Sequence, residues 1–245
     1  MQRYRIQVAY DGTSYLGWQV QPHGTTVQAC LEAAIRQLTG ETVKLHGSGR
    51  TDQGVHARGQ VAHFDLEKDW TPGALHKALN SLLPPDIRIL QAAKAAADFH
   101  ARRSVVEKEY RYFIWNGAIM PPFYRSYKAH VRAPLNIHAM RAGAAHMVGR
   151  HDFAAFTANP HREVESTVRE VTALQVRKHG SDLVIAVRGE GFLYRMARSI
   201  AGLLIRVGEG GVPPTEVQAI LASRLRTARV PTAPACGLFL WNVKY

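Results

Sequence analysis

What most constrains this chain is an order of periodicities that runs through it twice. Tyr4, Ile6, Val8 and Tyr10 alternate with other residues up to Asp11-Gly12, which predicts a strand closed by a turn. Thr25 or Thr26 then caps a helix in which Val27, Leu31, Ala34, Ile35 and Leu38 recur at helical spacing, with Gly40 where a C-terminal cap belongs. Thr42 to Leu45 reads as a short strand, Gly47 to Arg58 as a long polar loop, and Gly59 to Leu66 as a second strand. Thr71-Pro72 opens a helix through about Leu82, and Asp86 to Gln91 forms a strand after Pro84-Pro85. The order so far is β-α-β-β-α-β.

The second half repeats it. Glu109 to Trp115 alternates, Ile137 to Val148 is helical after Asn136, and Arg169 to Arg177 pairs across His179-Gly180-Ser181-Asp182 with Leu183 to Arg188. A helix from about Phe192 to Val207 and a short one to about Ser223 follow, and Gly237 to Tyr245 closes as a strand. Two such copies predict an α/β (α+β) chain of two ferredoxin-like or RNA-recognition-like halves, residues 1–100 and 101–245, with their sheets joined side by side. A cleft between the halves is the natural place for a site. The join falls between Ala92 and Glu107, where the Ala-rich stretch Ala92 to Ala97 runs toward Arg102-Arg103.

Composition narrows the partner. With 46% hydrophobic and 20% charged residues, the chain matches a packed globular protein and excludes a disordered or low-complexity one. Its net charge of +12 suits a polyanion, and nucleic acid leads on charge alone. Cys30 and Cys236 are the only cysteines, too few for a disulfide framework, and both read as reduced. The N-terminal residues enter a strand pattern with no apolar leader, and no stretch has the length and apolarity of a membrane span, so a cytoplasmic, membrane-free protein is expected.

The segment Gly47-Ser48-Gly49-Arg50-Thr51-Asp52-Gln53-Gly54-Val55-His56-Ala57 is longer than a hairpin needs. Its glycines allow close backbone approach to a ligand, and Arg50 and Asp52 place opposite charges two residues apart; a solvated turn uses the same residue types. Tyr110 and Tyr112 on the predicted strand are core aromatics, or a face that stacks on a base while Lys108 and Arg111 hold phosphates. In Phe192-Leu193-Tyr194-Arg195-Met196-Ala197-Arg198, Leu193, Met196 and Ile200 form a buried stripe with Arg195 and Arg198 at its edge. Arg198 there is a snorkelling surface residue, or a permanent cation that holds a carboxylate ionised. His151-Asp152-Phe153 is explained by capping and packing. Arg102, Arg103, Arg125, Lys128, Arg132, Arg141, Arg150 and Arg162 are candidates for a surface that tracks phosphates. A P-loop, a Gly-x-Ser-x-Gly elbow and a Cys-x-x-Cys pair are all missing, and no His falls at metal-ligand spacing with a carboxylate or Cys.

Taken together, these segments resemble the tRNA pseudouridine synthases of the TruA type. The resemblance rests on Tyr10-Asp11-Gly12 with Tyr15-Leu16-Gly17-Trp18-Gln19, and on Gly49-Arg50-Thr51-Asp52-Gln53-Gly54-Val55-His56-Ala57. Phe99-His100-Ala101-Arg102, Lys108-Glu109-Tyr110-Arg111-Tyr112, His151-Asp152-Phe153, Phe192 to Arg198 and Gly237-Leu238 complete it. It implies isomerisation of uridine to pseudouridine around positions 38 to 40 of the tRNA anticodon arm, no cofactor, no metal, and a homodimer. It also implies roles: Asp52 as the essential carboxylate, Arg198 as the cation that keeps it ionised, Tyr110 stacked on the target base, and Arg50 holding the nucleotide out of its helix. The alternatives are a non-catalytic tRNA-binding or chaperone protein, and a nucleosidase that releases free uracil.

Overall fold

The computed structural model describes residues 1–158 and 165–245; Arg162 lies outside the described residues. The chain forms two compact units, residues 1–106 with 239–245, and residues 107–238. The first unit thus runs to Val106, within the stretch expected to hold the join, and also takes in the C-terminal segment that the repeat reading assigns to the second half.

In the first unit β1 (Gln2–Tyr10), α1 (Val27–Thr39), β2 (His46–Gly47), β3 (His56–Leu66), α2 (Pro72–Leu82) and β4 (Ile87–Ala95) follow the predicted order. β1 lies between β4 and β3, antiparallel to both, and β2 pairs antiparallel with β3, the strand order of a ferredoxin-like unit. The period-2 pattern of β1 turns Tyr4, Ile6 and Val8 inward, and they are fully buried with Leu31 and Ile35 of α1, Leu75 and Leu79 of α2, and Phe64 and Leu66 of β3. Full burial of each such side chain contributes about 1.5–3 kcal/mol. Thr26 caps α1 by accepting from Ala29 N–H, and Thr71 caps α2 by accepting from Ala74 N–H, with Pro72 at the first helical turn.

β2 is shorter and later than the Thr42–Leu45 strand read from the sequence. Side chains of α1 have taken the backbone groups that a ladder would use: Leu45 N–H donates to Glu32 Oε1 at 2.9 Å, and Gln28 Nε2 donates to Leu45 O at 3.1 Å.

The second unit contains β5 (Glu107–Asn116), β6 (Ala129–Val131), α3 (Ile137–Ala145), β7 (Gly149–Asp152), β8 (Val168–His179), β9 (Asp182–Gly189), α4 (Met196–Gly208) and α5 (Glu216–Ser223). β9 sits between β5 and β8, β7 lies outside β8, and β6 runs parallel to β5. β6 and β7 are too short for alternation to announce them. α3 stops at Ala145 instead of Val148 because Met147 and Val148 bond back three residues, to Ala144 and Ala145, in a tighter turn that the same apolar pattern satisfies. α4 is enclosed nearly all round, with Met196, Ile200, Leu203, Leu204 and Val207 in the core. It begins at Met196 rather than Phe192, because Arg195 adopts a left-handed conformation, φ 58°, and breaks the helical path before it.

The closing strand β10 (Leu238–Lys244) pairs in parallel with β3, Phe239 opposite His56 and Leu240 opposite Ala57. That partner explains why β3 starts at His56, three residues earlier than its own apolar pattern indicates.

Candidate active site

The long polar loop of the sequence is the segment between β2 and β3, and both of its flanks are pinned. At its start Ser48, fully buried, donates from N–H to Val61 O at 2.8 Å and from Oγ to Gln60 Oε1 at 2.6 Å. Gln60 Nε2 in turn donates to Gly49 O at 2.8 Å. In its middle the Thr51 hydroxyl shares a 2.8 Å hydrogen bond with the Tyr10 hydroxyl, and Thr51 O accepts from Trp18 N–H at 3.1 Å. Beyond it Val55 N–H donates to Asp52 O at 3.1 Å, closing a tight turn. Asp52 is half-buried on this frame and Arg50 is exposed.

Gly17 decides how closely the two segments meet. It has φ +94°, and a Cβ there would stand 2.4 Å from Thr51 O and 3.0 Å from the carbonyl carbon of Asp52. No other residue fits without moving the loop. The sequence pattern placed Tyr10 on the inward face of β1 and gave neither it nor Trp18 a part in holding the Asp52 loop. Their signal is visible only in retrospect: two large aromatics flanking a Gly-containing turn, both buried, with Tyr10 at 4% exposure and Trp18 at 2%.

In the second unit β5 turns Tyr110, Tyr112 and Ile114 to the buried face, as the alternation predicts. The Tyr110 ring meets that of Phe192 edge-on, with centroids 5.0 Å apart and planes at 77°. Phe192, expected in the helix, instead positions this tyrosine from the turn before α4. Arg198 lies in the first turn of α4, half-buried, and its Nε donates to Ala233 O at 2.8 Å. Tyr112, 1% exposed, donates to Pro234 O at 2.9 Å; burial first, and the nearby Cys236 second, lift its phenol well above the ordinary value.

Two neighbours of Tyr110 differ from the expected phosphate holders. Lys108 is buried, and Arg111 donates from Nε to Glu109 Oε1 at 2.6 Å. Glu109, 7% exposed, also accepts from Arg188 Nε at 3.0 Å, so its carboxylate is held between two guanidinium groups. Lys128 pairs with Asp182 and lies over the Tyr124 ring. Arg102, Arg103, Arg125, Arg132, Arg141 and Arg150 are exposed. Asp152 caps as expected, accepting from Ala154 N–H at 3.0 Å and from the Thr167 hydroxyl at 2.6 Å, with Phe153 fully buried beside it.

The structure therefore holds Asp52 and Arg50 in the first unit, and Tyr110 and Arg198 in the second. Among the described residues no group of His, Cys, Asp and Glu is placed to hold a metal ion, and no helix is long and apolar enough to cross a membrane. The first unit thus presents a half-buried carboxylate on a braced loop, and the second an aromatic ring on a strand and an arginine fixed through its Nε.

A family model described as tRNA pseudouridine synthase matches residues 6–102 and 144–245. The tRNA pseudouridine synthase A of Brevibacillus brevis is 46% identical over 245 residues, covering 100% of both chains. That of Geotalea daltonii is 42% identical over the same full span of both chains. That of Halalkalibacterium halodurans is 45% identical over 239 residues, covering 97% of this chain and 90% of its own. With matches of this extent across both units, the chain belongs to the tRNA pseudouridine synthase family.

Proposed function

We propose that the chain, as a tRNA-modifying isomerase of this family, converts uridine to pseudouridine at positions 38, 39 and 40 of the anticodon arm, with Asp52 as its essential carboxylate. The reaction breaks the bond from C1′ of the ribose to N1 of uracil and forms one from C1′ to C5. C5 loses a proton and N1 gains one, so atoms balance without a co-reactant. The base must be held while it turns, which requires exclusion of water around it.

Asp52 serves either route by which the glycosidic bond is broken, attack on the nucleotide or assistance to the departing base, and both need it ionised. Arg198 is the cation assigned to keep it so. Tyr110 stacks on the uracil and takes part in removal of the C5 proton, and Arg50 occupies space near the target nucleotide and helps to hold it out of its helix. The reading includes a homodimer that binds the anticodon stem-loop in the cytoplasm. The observation that supports the assignment of Asp52 best is its frame: Tyr10, Trp18 and Gln60 hold the loop at Gly49 and Thr51 just before it, and Gly54 N–H donates to Tyr15 O at 3.4 Å just after it.

The test is release of tritium from tRNA labelled at uridine C5, comparing the wild type with Asp52→Asn. Release by the wild type alone, with pseudouridine in its product and equal tRNA binding by both, is the expected result. Free uracil among the products would establish a nucleosidase instead, and binding with no release by either protein would establish a non-catalytic tRNA binder.

A further inference from the structure

Arg198 is held by more than its own hydrogen bond. Segment 231–237 runs along α4, and two adjacent residues of each are cross-linked. Arg198 Nε donates to Ala233 O at 2.8 Å, while Ala233 N–H donates back to Arg198 O at 3.1 Å. One residue along on each side, Ser199 and Thr232 are bridged by a single side chain. Arg226 donates from Nη1 to Ser199 Oγ at 3.0 Å and from Nη2 to Thr232 Oγ1 at 2.8 Å. The backbones come together because α4 carries Gly202 at the crossing, where a Cβ would stand 2.1 Å from Pro231 O.

Arg226 is retained in this position against a cost. Burial first, and the charge of Arg195 second, pull its guanidinium below the ordinary value. Its two hydroxyl partners are neutral, and Ser199 is fully buried. A planar fork with fixed spacing joins two elements in a way that a lysine, with one nitrogen on a flexible stem, does not reproduce.

We infer that Arg226 is a positioning residue for the reaction: by clamping Ser199 to Thr232 it fixes the carbonyl of Ala233, and through that carbonyl the plane of the Arg198 guanidinium. This rests on the assignment of Arg198 to the chemistry. The clamp leaves tRNA affinity untouched and acts on turnover, since a misaimed cation stabilises the reacting carboxylate less well while phosphate contacts elsewhere persist.

The experiment measures single-turnover tritium release and tRNA binding separately for Arg226→Lys, Thr232→Val, Thr232→Ser and the double variant Arg226→Lys/Thr232→Val. Arg226→Lys keeps the charge and loses the fork; Thr232→Val keeps the shape and loses the acceptor. Each is expected to slow turnover on the order of tenfold with an unchanged binding constant, and Thr232→Ser to restore the wild-type rate. The double variant is expected to be no slower than either single one, because both remove the same link.

A loss of affinity in place of turnover would assign Arg226 to a tRNA phosphate and overturn the inference. So would a lowered melting temperature with full turnover per folded molecule, which is a structural role only. Arg198→Lys separates the two layers of the argument. If it turns over normally, the underlying assignment of Arg198 fails; if it is inactive while Arg226→Lys and Thr232→Val are normal, only the clamp fails.

Discussion

At the scale of single residues, the chemistry assigned here divides between groups that react and groups that hold them. Tyr110→Phe keeps the ring against Phe192 and should fold and bind tRNA as the wild type does. Loss of the hydroxyl is expected to slow turnover by about 100-fold or more, the usual contribution of a positioned acid or base; retention of full turnover would reduce Tyr110 to a stacking platform. Gly17→Ala tests the frame. The methyl group collides with Thr51 O and sits at a positive φ, so a destabilisation of about 1–3 kcal/mol, read as a lowered midpoint in urea, is expected together with a loss of turnover. The Asp52 loop stood out in the sequence by its length and its glycines, but the roles proposed for Asp52, Arg50, Tyr110 and Arg198 came from the family resemblance, since a solvated turn, a core aromatic and a surface arginine use the same residue types. The holding residues did not stand out. Ser48 bonds to Gln60, Gln60 to the carbonyl of Gly49 and Thr232 to the Arg226 guanidinium, across connections that follow no helical or strand period, and no local pattern marks such partners.

Secondary-structure elements obeyed their periodicities wherever an apolar stripe was long. They departed from them where a side chain or a distant strand competed for the backbone, as at Leu45 and His56, and where a left-handed residue broke the helical path, as at Arg195. A further element-level feature is the way the turn around residues 99–103 is fastened to β3. Ala101 N–H donates to His63 Nδ1 at 3.1 Å, while the His63 ring packs on His46 at 5.0 Å and His100 at 4.7 Å. Burial is the largest cause, and the neighbouring imidazoles and Arg3 add to it, so that His63 is pulled down to about 4; Asp65, paired with Arg3, opposes this weakly. The folded chain therefore resists a proton that the unfolded chain accepts below about 6.5. Stability held by this contact is complete above pH 6.5 and is lost as the pH falls toward 4, by an amount on the order of 3 kcal/mol. Urea titrations at pH 7 and pH 4.5 should show this drop in the wild type and a smaller one in His63→Asn; equal drops would exonerate His63.

For the whole molecule, charge sets the terms of encounter. A net +12, with Arg102, Arg103, Arg125, Arg132, Arg141 and Arg150 all exposed, predicts tRNA binding dominated by phosphate contacts. The logarithm of the affinity should fall linearly with the logarithm of salt concentration, with a slope of roughly −0.7 to −0.9 per phosphate neutralised. Affinity that is flat from low to physiological salt would rule out such a surface. The β-α-β-β-α-β order was readable from sequence in the first unit, where long apolar stripes mark each element, whereas in the second the short strands β6 and β7 and the pairing of the closing strand with β3 depart from the repeat.

The same chain path sets an order of events during synthesis. β3 belongs to the unit made first, yet residues 239–245, which pair with its leading end, leave the ribosome only after the whole second unit. Until then His56 and Ala57 present an unpaired strand edge beside the Asp52 loop, the kind of edge that invites the wrong neighbour. A nascent chain halted before β10 should consequently be protease-sensitive near residue 56, and the loop that carries Asp52 should be among the last parts of the first unit to become rigid.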